Sequence, residues 1–221
     1  MEKNLNFINK LHSSTKRNYL KRMKKSKPLN VKIAKKFAKD FWDGKRQFGY
    51  GGYRYIKDHF KPLAIKLIKR YRLNRNSKIL DVGCGKGFLL FEIQKLIPGI
   101  KIFGFDISKY AIKNSKSEVK DKIFVYNAKN KYPFKRKFFD LVFSINTLHN
   151  LRIYDLKKSL KEIERVAKKK YIVVESYRNE KEFFNLQCWS LTAVAFFNTE
   201  EWRWIFKQFK YRGDYEFIFF K

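Results

Sequence analysis

Acid is scarce in this chain relative to base. Twenty Asp and Glu stand against 52 Lys and Arg, a formal net charge of +32 over 221 residues. A surplus of that size excludes a negatively charged surface and would draw RNA, DNA, anionic membranes or acidic substrates by long-range attraction. It also has a compositional explanation, because Lys, Asn, Ile, Phe and Tyr are abundant together and all have AT-rich codons. Cysteine is nearly missing: Cys84 and Cys188 are the two present. They suggest no disulfide framework, and a reducing, cytoplasmic setting is expected.

Long apolar runs are missing too. No stretch reaches the roughly 20 residues of a membrane-spanning helix. The longest weakly charged segment, FFNLQCWSLTAVAFF (183–197), contains Asn and Gln and is expected to be a buried helix with a wide apolar face. The N-terminal residues lack the apolar core of a secretory signal. No acid occurs between Glu2 and Asp40, as in an organelle transit peptide, although Lys rather than Arg dominates there. Histidine is scarce, and His12 and His59 lie far in sequence from the candidate site described below, so no metal cluster is expected.

What is present is a hydrophobic content of 44% with 18% aromatics, ample for a packed core. Residues 1–28 are basic and weakly patterned, and are expected to be a weakly ordered arm or a short helical extension. Across 29–42, Val31, Ala34, Phe37, Ala38 and Phe41 recur at helical spacing and predict one amphipathic helix. WDGKRQFGYGGYRY (42–55) breaks that rhythm with four glycines and three tyrosines, and Pro62 opens the next helix. Residues 29–75 thus form a helical extension carrying a Gly/Tyr-rich loop.

From 76 to 221 strands alternate with helices. KILDVG, IKIFGFD, KIFVYNA, FFDLVFSIN and KYIVVES are the strands; helices lie between them, one capped by Ser108. A helix over TEEWRWIFKQF and a strand over DYEFIFF close the series. The pattern predicts an α/β fold: a doubly wound, mostly parallel Rossmann-like sheet with right-handed crossovers.

ILDVGCGKGFLL (79–90) is the stretch that invites a function. Glycines let a backbone approach a ligand closely, and the loop after the first strand is the usual cradle in such sheets. This is not a Walker A loop, since Gly87 and Phe88 follow Lys86 where Ser or Thr would meet Mg²⁺. The spacing G-x-G-x-G, preceded by Asp81, is not the dinucleotide fingerprint either. A carboxylate beside the loop disfavours a pyrophosphate and suits a cationic or zwitterionic ligand. Asp106, roughly 20 residues further on, ends the second strand where an acid can bind ribose hydroxyls. A nucleoside with a positive end fits, and S-adenosylmethionine is such a molecule.

At this point the chain resembles the class I S-adenosylmethionine-dependent methyltransferases over residues 77–177. LDVGCGKG, GFDIS, NAKNKYPF and FFDLVFSINTLHNL stand in the family's motif order. The resemblance implies S-adenosylmethionine as cofactor, its methionine end held by Asp81 and the backbone of Gly83, Cys84 and Gly85. It implies Asp106 on the ribose, Ile107 on the adenine face, Asn127 and Ala128 at the adenine edge, and Asn146 near the methionine amino group. Asn127 stands where many members have Asp, and the family's pair of C-terminal strands is reduced to one.

The acceptor side is read from the residues. His149, after the fourth strand, has the pKa of a general base, and Glu175, ending the fifth, can bind or deprotonate a hydroxyl or amine. A structural histidine bonding a loop carbonyl and a salt bridge of Glu175 to Arg178 or a nearby lysine are the alternatives. Tyr50 and Tyr53 are expected to line the acceptor site or close over the cofactor as a lid, with Tyr53 also near the chemistry. The place where base-amine methylases carry a proline motif reads NTLHN, and neither cysteine is placed as a nucleophile. The expected partner is a small-molecule or glycan-type acceptor methylated at oxygen or nitrogen. RNA docked on the basic arm and a non-catalytic binding module are the alternatives.

Overall fold

A computed structural model describes residues 3–24 and 26–221. Six strands form one sheet: β1 (Lys78–Val82), β2 (Lys101–Asp106), β3 (Ile123–Val125), β4 (Phe139–Ile145), β5 (Ala167–Glu175) and β6 (Asp214–Ile218). Their order is β3-β2-β1-β4-β5-β6 and every pairing is parallel. The order reverses between β1 and β4, so the loop after β1 opens at the switch point, where such sheets bind ligands.

Each central strand is apolar on both sides, as a sheet covered on both faces requires. Ile79, Phe143 and Val173 point into one cluster with Leu63, Leu67 and Ile93 from α5 (Lys61–Tyr71) and α6 (Phe88–Leu96). Leu80, Val142 and Ile172 point into the other with Leu160 and Ile163 of α8 (Ile153–Val166) and Trp202 and Phe206 of α10 (Thr199–Gln208). Pro62 starts α5, Ser108 Oγ caps α7 (Lys109–Lys113) by accepting from Ala111 N, and Asn198 with Glu201 forms a capping box on α10.

Three expectations need correction. The single helix over 29–42 is two: α3 (Lys27–Ala34) and α4 (Lys39–Asp43), separated by Phe37 at φ +48°. The break lets Phe37 O accept from Trp42 Nε1 and Ser108 Oγ, which turns Trp42 toward the sheet. The helix expected over 183–197 is α9 (Glu180–Trp189) and ends there. The following residues cross the carboxyl ends of the strands, and Val194 N and Ala195 N both donate to His149 O at 2.9 Å.

The weakly ordered arm of residues 1–28 is the third, for all but residues 1, 2 and 25, which lie outside the described residues. Leu5 N donates to Tyr215 O at 2.8 Å and Tyr215 N to Lys3 O at 3.0 Å, extending the sheet beyond β6. Glu216, fully buried, accepts from Phe7 N, Ile8 N and Asn9 N at 2.7–3.1 Å at the start of α1 (Asn9–Ser13), and from Tyr171 Oη at 2.5 Å. α2 (Tyr19–Lys24) packs on α9.

Candidate functional site

The loop after β1 spends its N–H groups inside the protein. Gly83 N and Cys84 N both donate to Phe105 O, at 2.8 and 3.0 Å, and Gly85 N donates to Asp106 Oδ2 at 2.9 Å. An anion therefore finds no donors at these three positions, unlike a phosphate cradle. Gly83 (φ +84°) has Thr147 where a Cβ would stand, with Oγ1 only 2.1 Å away. The Thr147 side chain packed on this backbone, together with the positive φ, requires glycine there.

Two carboxylates face this loop. Asp106 accepts from Gly85 N and, at 2.8 Å, from Ser108 N, which leaves each oxygen a further lone pair for a hydroxyl. Asp81 has no hydrogen-bond or ion-pair partner among the described residues and is 5% exposed. Burial, and then the charge of Asp106, pushes its carboxyl well above the usual range. Burial also raises Asp106, against its two backbone hydrogen bonds. A buried carboxylate in that position favours a cation. Asn146, at φ +56°, aims a buried Oδ1 with no partner, suited to an ammonium donor. Ile107 is half exposed at the rim, Ala128 is buried, and Asn127 closes a turn by accepting from Lys129 N. Burial and these acids raise the Cys84 thiol, which is unsuited to attack.

The Gly/Tyr-rich loop covers this cleft. The Trp42 ring stands 3.0 Å from a Cβ built at Gly85 and Tyr53 3.8 Å; Tyr53 stacks on Phe88 (5.1 Å, 21°) and Trp42 on Tyr50 (5.3 Å, 16°). Asp43 ties the cover down. It accepts from Lys86 Nζ at 2.7 Å, Tyr110 Oη at 2.8 Å and Tyr53 N at 3.0 Å, and Lys86 also reaches Tyr53 O. Burial raises the Asp43 carboxyl, but those hydrogen bonds outweigh it and hold the carboxyl below its ordinary value. The Tyr53 phenol is pushed well up by burial and by Tyr50, Asp81 and Asp106, so it acts as a donor rather than a base. Tyr50 keeps 42% of its surface exposed, and its partial burial, with Glu175 and Asp106, pushes the phenol up to about 12. Trp42, Asp43, Lys86 and Thr147 were not foreseen; a lone charge inside an apolar glycine loop, Lys86, was the available signal.

Beyond the ends of β4 and β5, His149 and Glu175 come together. His149 is 3% exposed; its Nδ1 accepts from Glu175 N at 3.3 Å, which assigns the proton to Nε2, 3.6 Å from Glu175 Oε2. Burial lowers the imidazole, partly offset by Glu175, so the ring is neutral at neutral pH. Glu175 Oε2 is buried without a hydrogen-bond partner. The alternative for Glu175, a salt bridge to Arg178, is not formed: Arg178 pairs with Glu182. Two surface grooves, of about 610 Å³ beside α10 and β6 and about 620 Å³ beside β2 and β3, lie apart from this cleft.

A parallel sheet with a glycine loop at its switch point, the N–H groups of that loop spent inside the protein, and two buried carboxylates facing it together define the class of fold and site. The chain belongs to the class I S-adenosylmethionine-dependent methyltransferase family: a methyltransferase-domain family model matches residues 73–210. It is 32% identical over 109 residues to the mitochondrial arginine-hydroxylase NDUFAF5 of Mus musculus, covering 49% of this chain and 31% of that one. It is likewise 32% identical over 114 residues to the demethylmenaquinone methyltransferase of Chlorobaculum tepidum, covering 51% and 46%. The chain thus spans less than half the length of these curated relatives. Its fold is that of the Bacillus YcgJ protein, with a TM-score of 0.55 at 19% identity over 66% of each chain.

Proposed function

We propose that this protein transfers the methyl group of S-adenosylmethionine to an oxygen or nitrogen of a small-molecule or glycan-type acceptor. The observation that carries the proposal is a buried Asp81 with no hydrogen-bond or ion-pair partner among the described residues, beside the glycine loop, together with Glu175 Oε2, buried and without a hydrogen bond, at the end of β5 two strands away. Asp81 and Asn146 take the ammonium of the methionine end, Asp106 the ribose hydroxyls, and Ile107 with Asn127 and Ala128 the adenine. When bound, the cofactor would supply an activated methyl group on its sulfonium.

The chain's own task is alignment and proton removal. Glu175 accepts the proton that leaves the acceptor, and His149, buried behind it, holds its backbone N–H and presents Nε2–H toward the same carboxylate. Tyr50 and Tyr53 wall the cleft and exclude water. The relatives' names support both a transferase and a hydroxylase, so transfer must be measured directly.

The experiment is transfer of labelled methyl into small-molecule, RNA, protein and glycolipid fractions of source-cell extract, by wild type and by Glu175→Gln. Label in the small-molecule or glycan fraction, reduced about 100-fold in kcat by E175Q with cofactor affinity kept, is expected. RNase-sensitive label would establish the RNA alternative. Cofactor binding with no transfer to any fraction would leave a non-catalytic binding module.

A further inference from the structure

Where the N-terminal segment meets the loop that covers the cleft, cations gather around one indole, and Arg46 Nη1 donates to Tyr50 O at 2.9 Å. The guanidinium carbons of Arg17, Arg22 and Arg46 stand 5.4, 4.4 and 5.2 Å from the Trp189 ring centroid. Arg22 is fixed by donating Nε to Trp189 O at 2.7 Å and Nη1 to Arg46 O at 2.9 Å. Arg17 is fixed by Nη1 on His12 O, and its Nε is buried with no partner among the described residues. Lys27 donates to the carbonyls of Gln187 and Cys188, at the end of the same helix.

No carboxylate pairs with any of these four side chains among the described residues. Burial lowers all of them, Arg22 to about 10 and Lys27 to about 8. Repulsion adds to burial: Arg46 acts on Arg17 and Arg22, and Arg22 on Lys27. Glu175 is the acid that offsets this field at Arg17, Arg22 and Lys27, and it also acts on Tyr50. Four cations with no carboxylate pairing with them leave the cluster strongly positive, at the back of the Tyr50 loop that walls the cleft. Guanidinium groups held in place by backbone bonds lose little entropy on taking up an acid, and they suit planar or tetrahedral oxyanions.

We infer that the acceptor carries an anionic group, a carboxylate or a phosphate, which Arg17, Arg22 and Arg46 bind over Trp189 while its hydroxyl or amine faces Glu175. The inference rests on the methyltransferase function proposed above and names its substrate class. It also gives the basic N-terminal segment a local task, at one half-buried cluster rather than along a solvated face.

The test has two readings. Labelled product from the small-molecule fraction is passed over an anion exchanger, before and after phosphatase, with wild type, Arg22→Gln and the more exposed Arg46→Gln. Retained product is expected, with KM raised about tenfold or more in each variant and cofactor Kd unchanged; each tenfold corresponds to one charge-assisted contact. Loss of retention after phosphatase identifies a phosphate, and persistence a carboxylate. An unretained product, an RNase-sensitive product, or unchanged KM in both variants overturns the inference while the transferase activity stands. If no fraction takes label, the transferase function fails. Acetate and inorganic phosphate titrated onto the cofactor-bound protein then decide this one: stabilisation lost in R22Q and R46Q upholds an anion site, and none overturns it.

Discussion

Asp81 holds a carboxylate that folding buries and leaves unpaired. Its folded pKa is raised, so its contribution to stability is present below the ordinary aspartate value and is lost as pH rises through the folded value. The loss builds from the ordinary aspartate value upward, so at neutral pH the buried Asp81 costs stability. Asp81→Asn should therefore stabilise the cofactor-free protein by about 1–3 kcal/mol, the cost of an unsatisfied buried group, or about 2–4 °C of Tm per kcal/mol. The same change should weaken cofactor binding about tenfold or more. Calorimetry reads both quantities, and a lower Tm with unchanged affinity would contradict the assignment. Gly83→Ala is expected to cost about 2 kcal/mol or more, from left-handed strain and collision with Thr147; adding Thr147→Gly should return part of it. The histidines move stability oppositely to Asp81. Burial lowers His12 to about 3 and lowers His149, so their contribution is present above the unfolded value of 6.5 and is lost as pH falls below it. Stability should decline steadily from pH 6.5 toward pH 3, and His12→Phe, filling the same space against Phe220, should flatten part of the slope.

The covering loop stands or falls with Asp43. Asp43→Asn leaves Lys86, 6% exposed at its side chain, without its ion-pair partner. The expected loss is about 1–3 kcal/mol, smaller than for a fully buried pair because Asp43 keeps a quarter of its surface exposed. Hydrogen exchange should rise at Tyr50 and Tyr53 N–H, which bond to Phe41 O and Trp42 O. Because the Asp43 pKa is depressed, acid should loosen the wild-type loop in the same way, below about pH 4. A loop whose exchange is insensitive to Asp43→Asn would mean that the ring contacts alone hold it. The strands and the glycine loop were legible in the sequence because each is a contiguous run with its own period and punctuation. The break at Phe37 was not, since apolar residues continue in helical phase across it and only Ser108, 71 positions away, shows why the turn is made. The arginine cluster was illegible for a related reason: positions 17, 22, 46 and 189 meet through packing, in a segment whose composition is basic throughout. Glu175 and His149 were found as strand-end residues, while their mutual bond belongs to tertiary structure.

Over the whole molecule, charge and edge protection meet at the N-terminal segment. Lys3 N and Arg70 hold Asp214, and residues 7–9 hold Glu216, so two acids of β6 anchor a stretch of positive sequence across the sheet edge. Covering an edge in this way removes a site for pairing with other chains. Glu216→Gln should cost about 3 kcal/mol, since an amide cannot accept at both oxygens from backbone N–H groups and Tyr171. Light scattering should show association in step with the lowered Tm. The surplus of +32 makes a separate expectation about salt: nonspecific RNA binding should fall steeply as ionic strength rises, while KM for a small acid held in a half-buried cluster should change far less.

The contacts of Glu216 with residues 7–9 span 207 to 209 positions of chain. During synthesis, then, the segment that closes the sheet edge emerges about two hundred residues before the strand it closes, while the glycine loop and Asp106 are 21 apart and can meet early. A nascent chain can therefore assemble the nucleoside cleft first, and its final locking step waits on its most distant partners. That late closure carries the largest loop entropy in the fold and makes the unsealed β6 edge the place where a slow or interrupted chain would go astray.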